Sequence, residues 1–180
     1  GCNPFFLEEL CEALREEGLV AVRDGEAAAA DLALHVPETV QGVLRTRMDR
    51  LDDDARETLR FASVIGREFT RGVLEDVTSL GAVLGATLGA ALERLKSSGL
   101  VQQTGVVPEP SYRFKHALTQ EVAYDSLLEH QRAKLHAAVG RAIEKRYAQR
   151  LEEHVERLAH HFSCAEAWSD AVQYGLQAAD

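Results

Sequence analysis

The chain has 180 residues, 46% of them hydrophobic, and a formal net charge of −9 at pH 7. This length is enough for one large or two small domains with a substantial core. The acidic balance argues against a nucleic-acid-binding protein, which would concentrate Lys and Arg on its recognition element. A membrane-spanning helix is not predicted either, since the sequence contains no run of about 18 apolar residues.

The three cysteines, Cys2, Cys11 and Cys164, are scattered and odd in number. This usage fits a reducing compartment better than a disulfide framework, and it predicts a cytoplasmic protein. The start, Gly1-Cys2-Asn3-Pro4, has neither an initiator Met nor a basic region followed by an apolar stretch. It therefore predicts an internal piece of a longer chain.

The N-terminal part predicts two helices separated by an irregular stretch. The first helix runs from Asn3-Pro4, an N-cap followed by proline at the first helical position, to Gly18. The turn signal Asp24-Gly25 makes a short hairpin an option, but the alanine run after it is poor strand material. We therefore interpret residues 24–36 as a linker. Pro37 begins a second helix with one continuous apolar face.

The middle of the chain has the element order of a winged helix-turn-helix domain. One of the aspartates Asp52–Asp54 should cap its first helix, with Asp54 and Glu57 at the separation of a capping box. In the helix before the hairpin, Gly85 and Gly89 indicate either close backbone packing or a locally loose helix. That helix holds three charged residues, all near its C-terminal end. A helix that binds in the DNA major groove needs hydrogen-bond donors toward its N-terminal part, so we interpret this domain as one that contacts protein. Three helices are predicted: the first ends at Gly66, the second spans about 71–77 and the third spans 82–98. Strands at 101–104 and 111–115 follow them.

The C-terminal part predicts helices throughout. The last two helices are joined by only a few residues and should form an antiparallel hairpin. One apolar face of this hairpin would stay uncovered, as in the first unit of a helical repeat array. The helix 130–147 is basic, with a net charge of +4. A membrane or nucleic acid is one partner for such a face, but we expect it to be solvated or to pair with the flanking acidic segments. The predicted helices span about 119–128, 130–147, 151–162 and 167–179.

The stretch 112–136 is the part of the chain around which the rest is arranged. Tyr112 and Phe114 alternate with polar residues as in a half-buried strand, and the pattern becomes helical at His116. An imidazole at this switch can face an anion at the helix start, where free backbone N–H groups favour negative charge. The alternative is that His116 hydrogen-bonds a loop carbonyl.

Catalytic motifs are absent from the sequence: it has no phosphate-binding loop, nucleophile elbow, acidic pair on a strand or closely spaced cysteine pair. We therefore predict no catalytic residue and no enzyme activity for this piece. His154, His160, His161 and Cys164 lie on one predicted helix, and His160 and Cys164 have the one-turn spacing of a metal-ligand pair. The apolar residues between them indicate a packing boundary instead, so we predict no metal site.

Four segments together resemble the bacterial STAND ATPases, which are AAA-related signalling ATPases often fused to a class III adenylate or guanylate cyclase or to a LuxR-type DNA-binding domain. The segments are 2–10 (CNPFFLEEL), 37–41 (PETVQ), 62–69 (ASVIGREF) and 112–128 (YRFKHALTQEVAYDSLL). The likeness covers nearly the whole chain, in the family's order.

The resemblance implies a mainly α fold with a small β-hairpin wing, in three parts. These are residues 1–36, the C-terminal lid segment of an ATPase domain; 37–116, a winged-helix domain; and 117–180, a helical domain leading into TPR-like superhelical repeats. In the family, a proline at the head of the lid helix lies against adenine, which corresponds to Pro4. The winged-helix histidine contacts the β-phosphate of ADP, which corresponds to His116, here flanked by Lys115 and Ala117.

The function implied by the resemblance is that of a non-catalytic regulatory segment. It would transmit nucleotide state from an upstream ATPase core, which binds ATP or ADP and Mg²⁺, through the winged helix to a repeat array. The expected partners are the nucleotide and a protein or sister protomers, with no direct nucleic-acid or membrane contact. The alternatives are a DNA-binding winged-helix transcriptional regulator and a TPR-like protein-interaction scaffold.

Overall fold

The computed structural model describes residues 20–23, 26–29, 40–79 and 85–179. The chain divides into two compact units, Gly1–Leu51 and Asp52–Asp180. The predicted helix from Pro4 to Gly18 lies outside the described residues. In the described part of the chain, none of the helices combines the length and the apolar character that a membrane crossing requires.

The first unit contains a β-hairpin and a helix among its described residues. Strands β1 (Val20–Arg23) and β2 (Glu26–Ala29) pair antiparallel, with Arg23 opposite Glu26. The interpretation of 24–36 as a linker is therefore wrong for 26–29. Alanine is a weak strand former, but the antiparallel backbone pairing with β1 outweighs that preference. Helix α1 (Val40–Asp49) follows, and Val43, Leu44 and Met48 on its apolar face are buried.

The second unit begins with the predicted order of helices followed by a β-hairpin. Its described elements are α2 (Asp53–Ile65), β3 (Glu68–Thr70), α3 (Arg71–Thr78), α4 (Gly85–Ser97), β4 (Val101–Gly105) and β5 (Ser111–Phe114). The strands form one antiparallel sheet in the order β3-β5-β4. The sheet therefore has three strands, because the short extended segment at Glu68–Thr70 pairs with β5 at the edge of the predicted hairpin.

One of the three aspartates caps helix α2, as predicted. Asp52 is its N-cap, and its Oδ1 accepts a hydrogen bond from the Ala55 backbone N at 2.8 Å. The predicted capping box of Asp54 and Glu57 is wrong, because the helix starts two residues earlier than that pairing requires. At the other end, Gly66 takes a φ of 135°, a conformation that favours glycine, and so the predicted stop is confirmed.

The rest of the chain is helical, as predicted. Helix α5 (Ala117–Asp125) leads into the long helix α6 (Glu129–Arg146), and a 3₁₀ turn (Leu151–His154) precedes α7 (Val155–Cys164) and α8 (Trp168–Gln177). Helix α7 packs against both α6 and α8, and α6 also packs on α2 and α3. The fold is thus mainly α with a small β wing, which confirms the predicted class.

The cations of α6 pair with acids on neighbouring elements. Arg141 bridges to Asp170 of α8 at 2.7 Å, and Arg132 pairs with Asp125 of α5 at 3.2 Å. Arg146 pairs with Asp76 of α3. The expectation that this basic helix pairs with the flanking acidic segments is confirmed for Arg132 and Arg141, whereas Asp76 lies outside those segments.

Helix α8 leaves an apolar stripe uncovered. Trp168, Val172 and Leu176 lie four residues apart and remain 63%, 60% and 67% exposed. Residues at that spacing share one helix face, opposite the face that buries Ala171 and Tyr174. The predicted excess apolar face of the last helical hairpin is therefore present.

The surroundings of two helical glycines, Gly140 and Gly89, predict opposite effects of a substitution by alanine. A Cβ at Gly140 of α6 would lie 2.7 Å from Cζ of the buried Phe162 ring on α7, whereas a Cβ at Gly89 of α4 would meet nothing within 4 Å. We expect Gly140→Ala to lower the free energy of unfolding by about 1–3 kcal/mol through overpacking. Gly89→Ala, the matched control, should raise it by up to about 1 kcal/mol, because alanine is the better helix former.

Urea denaturation followed by circular dichroism measures both changes. A stabilising Gly140→Ala would mean that α6 and α7 are not packed as closely as described. The open space at Gly89 also shows that close backbone packing is not the reason for glycine at that position.

Candidate functional site

The strand-to-helix junction predicted at His116 is present. Tyr112 and Phe114 of β5 are buried, and both of their rings contact Phe69 of β3, with centroids 5.6 and 5.8 Å away. The Lys115 backbone N donates to the Leu100 carbonyl at 3.1 Å. This hydrogen bond fixes the backbone between the end of β5 and the start of α5. The wing and α5 therefore form one continuous support for the residue between them.

His116 is the N-cap residue of α5. It has extended backbone angles (φ −130°, ψ 142°), its carbonyl accepts from the Thr119 N at 3.2 Å, and its half-buried side chain does not cap the helix. The first turn of α5 carries no acidic residue, so its backbone dipole keeps a field that favours an anion. A contact of His116 with a nucleotide phosphate stays a prediction, and Pro4, the second predicted nucleotide-binding residue, lies outside the described residues.

A polar node joins the wing loop to two helices. Glu109, in the loop between β4 and β5, accepts from the Gly72 backbone N at 3.1 Å and from the Tyr147 hydroxyl at 3.4 Å. Asp76, one turn further along α3, pairs with Arg146 at the end of α6. The node thereby ties the wing loop, the start of α3 and the C-terminal end of α6 together.

A cluster of four residues, His136, His160, His161 and Cys164, occupies the contact between α6 and α7. His136 of α6 and His161 of α7 are both 3% exposed, and their Nδ1 atoms lie 2.9 Å apart. Nε2 of His136 lies 3.0 Å from the hydroxyl of Tyr124 on α5. Three elements therefore converge on His136, which is hydrogen-bonded at both ring nitrogens.

The cluster opens toward solvent through His160 and Cys164. The Cys164 Sγ lies 3.9 and 4.0 Å from Nε2 and Nδ1 of His160, one helical turn earlier. His160 is exposed and Cys164 is half-buried. His154, which shares the same stretch of sequence, instead stacks on the Tyr147 ring at a centroid distance of 4.2 Å and does not join the cluster.

An open groove of about 780 Å³ borders the cluster. Its walls come from α2, α5, α6 and α7, and they mix carboxylate, amide, hydroxyl and imidazole groups. The residues facing it include Ser63, Gln120, Tyr124, Glu156 and Arg157. A small ligand or ion therefore has a route from solvent to the two buried imidazoles.

Burial controls the protonation of this cluster. Burial, together with nearby His160 and Arg132, lowers the pKa of His136 from 6.5 to about 4. Burial, with His136, His160 and Arg157 adding to it, lowers the pKa of His161 to about 3. Burial also raises the pKa of the Cys164 thiol. At pH 7 both imidazoles are neutral, and their lone pairs are available as acceptors or ligands.

Sequence reasoning found the α7 half of the cluster and missed His136. The spacing of His160 and Cys164 is a local signal, whereas His136 lies 24 residues before His160 on another helix. The one available hint was that His136 falls on the inward-facing side of α6, three residues before the buried Val139.

Comparison with known proteins gives a distant relative. The chain is 29% identical over 148 residues to an uncharacterized protein of Rhizobium meliloti (strain 1021), an alignment that covers 79% of this chain and 13% of the relative. The chain thus spans a small part of that relative's length. Protein-family models and solved structures give no match.

We predict that two imidazoles stay neutral far into the acidic range. The unfolded chain binds protons at His136 and His161 near pH 6.5, whereas the folded chain binds them only near pH 4 and 3. The free energy of unfolding is therefore highest above about pH 6.5 and should fall by a few kcal/mol as the pH decreases from there toward 3.

Side-chain NMR of labelled histidines, in buffer with a chelator, measures this directly. At pH 5 at least two of the seven imidazoles should still be neutral. Titration of all seven above pH 5.5 would contradict the described burial of this pair.

Proposed function

We propose that this chain is a non-catalytic regulatory segment of a STAND-type signalling ATPase in the cytoplasm. It would transmit the nucleotide state of an upstream ATP-binding core through its winged helix to a TPR-like repeat array. The observation that carries the proposal is the junction at His116, where the wing strand β5 passes directly into α5 within one compact unit that also includes the helical hairpin.

His116 would act as the nucleotide sensor. Its position at a helix start without first-turn acids supports contact with a phosphate, because backbone N–H groups and the helix dipole add to the imidazole there. ADP would hold the winged helix against the core through His116 and Pro4. Exchange for ATP would remove that contact, and the equilibrium would shift by the differential affinity for the two states.

Rigid coupling inside the second unit would carry the movement onward. The polar node ties the wing loop and α3 to the end of α6, and α6 packs along α7. A displacement of the wing would therefore move the helical hairpin with it. The exposed stripe at Trp168, Val172 and Leu176 supports a repeat array, since stacked repeats bury such a face against the next unit.

A DNA-binding role has less support. The two cations of α4 are both paired with acids, Arg94 with Asp52 at 3.0 Å and Lys96 with Glu93 at 2.9 Å. Both lie in the last turn, away from the end that a recognition helix inserts into the groove. DNA binding would show in a gel-shift experiment as an affinity that falls steeply with salt.

The test of the sensor is His116→Ala in the full-length parent protein. Loss of one hydrogen bond to a phosphate should weaken ADP binding by about 1–3 kcal/mol, or roughly 5- to 150-fold in the dissociation rate, and raise the basal output. Release of a fluorescent ADP analogue measures the rate. His130→Ala, an exposed histidine on α6, is the matched control and should leave it unchanged. An unaltered release rate in His116→Ala would remove this histidine from the mechanism.

The test of the coupling is Asp76→Asn, which weakens the pair with Arg146 while keeping the shape of the side chain. Both partners are partly buried, so we expect a loss of about 1 kcal/mol in the free energy of unfolding. Amide hydrogen exchange should increase at the C-terminal end of α6, with α2 unaffected. Glu75→Gln, the neighbouring exposed acid, is the control. Equal exchange at α6 in both variants would show that the node does not hold these elements together.

A further inference from the structure

The histidine cluster places three potential metal ligands together. His136 of α6 and His160 and Cys164 of α7 each offer one ligand atom, and these three atoms lie within 4.8 Å of one another. In a tetrahedral zinc site, with Zn–N bonds of about 2.0 Å and Zn–S bonds of about 2.3 Å, the ligand atoms are roughly 3.5 Å apart. The Cys164 Sγ and the His160 ring nitrogens, at 3.9 and 4.0 Å, are already close to that separation.

We propose that His136, His160 and Cys164 bind one Zn²⁺ ion, with the fourth position open to the adjacent groove. Two imidazoles and a thiolate form a borderline-soft donor set that suits zinc and excludes Mg²⁺ and Ca²⁺, which prefer oxygen. This site is independent of the proposed nucleotide function, and neither requires the other.

The hydrogen bonds around His136 match those of a metal-ligating histidine. Such a residue donates its second ring N–H to a neighbour, which fixes both the tautomer and the orientation of the ring. Here His136 Nδ1 can donate to His161 Nδ1 at 2.9 Å, which leaves the lone pair on Nε2. Nε2 now faces the Tyr124 hydroxyl at 3.0 Å. The metal would replace that hydroxyl, which belongs to a half-buried side chain that lines the groove.

The location distinguishes this group from a packed core. His136 and the exposed His160 line the groove, and Cys164, one helical turn after His160, is half-buried, so an ion can enter without unfolding the hairpin. Two ligands at positions i and i+4 on one helix face, as His160 and Cys164 are, are also a spacing that binds zinc in other proteins. The bound ion would fasten α7 to α6.

Binding has a defined proton balance. The His136 imidazole is neutral at pH 7, because burial holds its pKa at about 4. The Cys164 thiol is protonated, because burial raises its pKa. Zinc binding therefore forms the Zn–S bond as the S–H bond is broken, and it releases about one proton to the buffer.

The experiment is a Co²⁺ titration followed by displacement with Zn²⁺. The background is the chain with Cys2→Ser and Cys11→Ser, so that Cys164 is the remaining thiol. One equivalent of Co²⁺ should produce a thiolate-to-metal charge-transfer band and the visible absorption of a tetrahedral site, and one equivalent of Zn²⁺ should abolish both. Zn²⁺ should also raise the urea midpoint of this protein.

The variants act on ligands near the surface, so that the fold is retained. Cys164→Ser should remove the charge-transfer band, and His160→Ala should lower the Zn²⁺ affinity at least about a hundredfold, beyond the effect of losing an outer-shell partner. His130→Ala, on the same helix as His136 but outside the cluster, should change neither. Persistence of the band in Cys164→Ser, or the absence of Co²⁺ and Zn²⁺ binding at about 0.1 mM in the intact cluster, would overturn the proposal.

Discussion

The burial of α6 on two sides is the constraint on which the second unit depends. One side of this helix packs on α2 and α3, and another packs on α7. Val139 and Ile143 are fully buried between them, and Gly140 lets the Phe162 ring approach the helix backbone. The wing and the helical hairpin therefore cannot move apart without exposing these core residues, at about 25 cal/mol per Å² of apolar surface.

Polar contacts toward both ends of α6 fix the register of this helix against its neighbours. At the C-terminal end of α6, Arg146 pairs with Asp76, and Tyr147 reaches Glu109 of the wing loop. In the N-terminal half, His136 contacts both Tyr124 and His161. Hydrogen bonds of this kind add little net stability, but they penalise any other register, because a shift would leave buried donors or acceptors unpaired.

Local patterns predicted most of the second unit, since periodicity and end signals are short-range properties. The alternation of Tyr112 and Phe114 gave strand β5, and the change at His116 gave the start of α5. The errors arose where neighbours compete: any of three consecutive aspartates can cap α2, and the structure uses Asp52 rather than Asp54. Similarly, Glu68–Thr70 became a third strand because β5 offers it a partner, a contact more than 40 residues away along the chain.

The candidate site divides in the same way. The sequence by itself determined the helices, the wing, the place of His116 between them and the one-turn spacing of His160 and Cys164, because each depends on residues within a few positions of one another. Only the tertiary structure decided that His136 joins His160 and Cys164, and that its imidazole is buried deeply enough to stay neutral. Both facts depend on how α6 lies against α7, and that packing is determined by the volumes of buried side chains from several helices, which no local pattern in the sequence encodes.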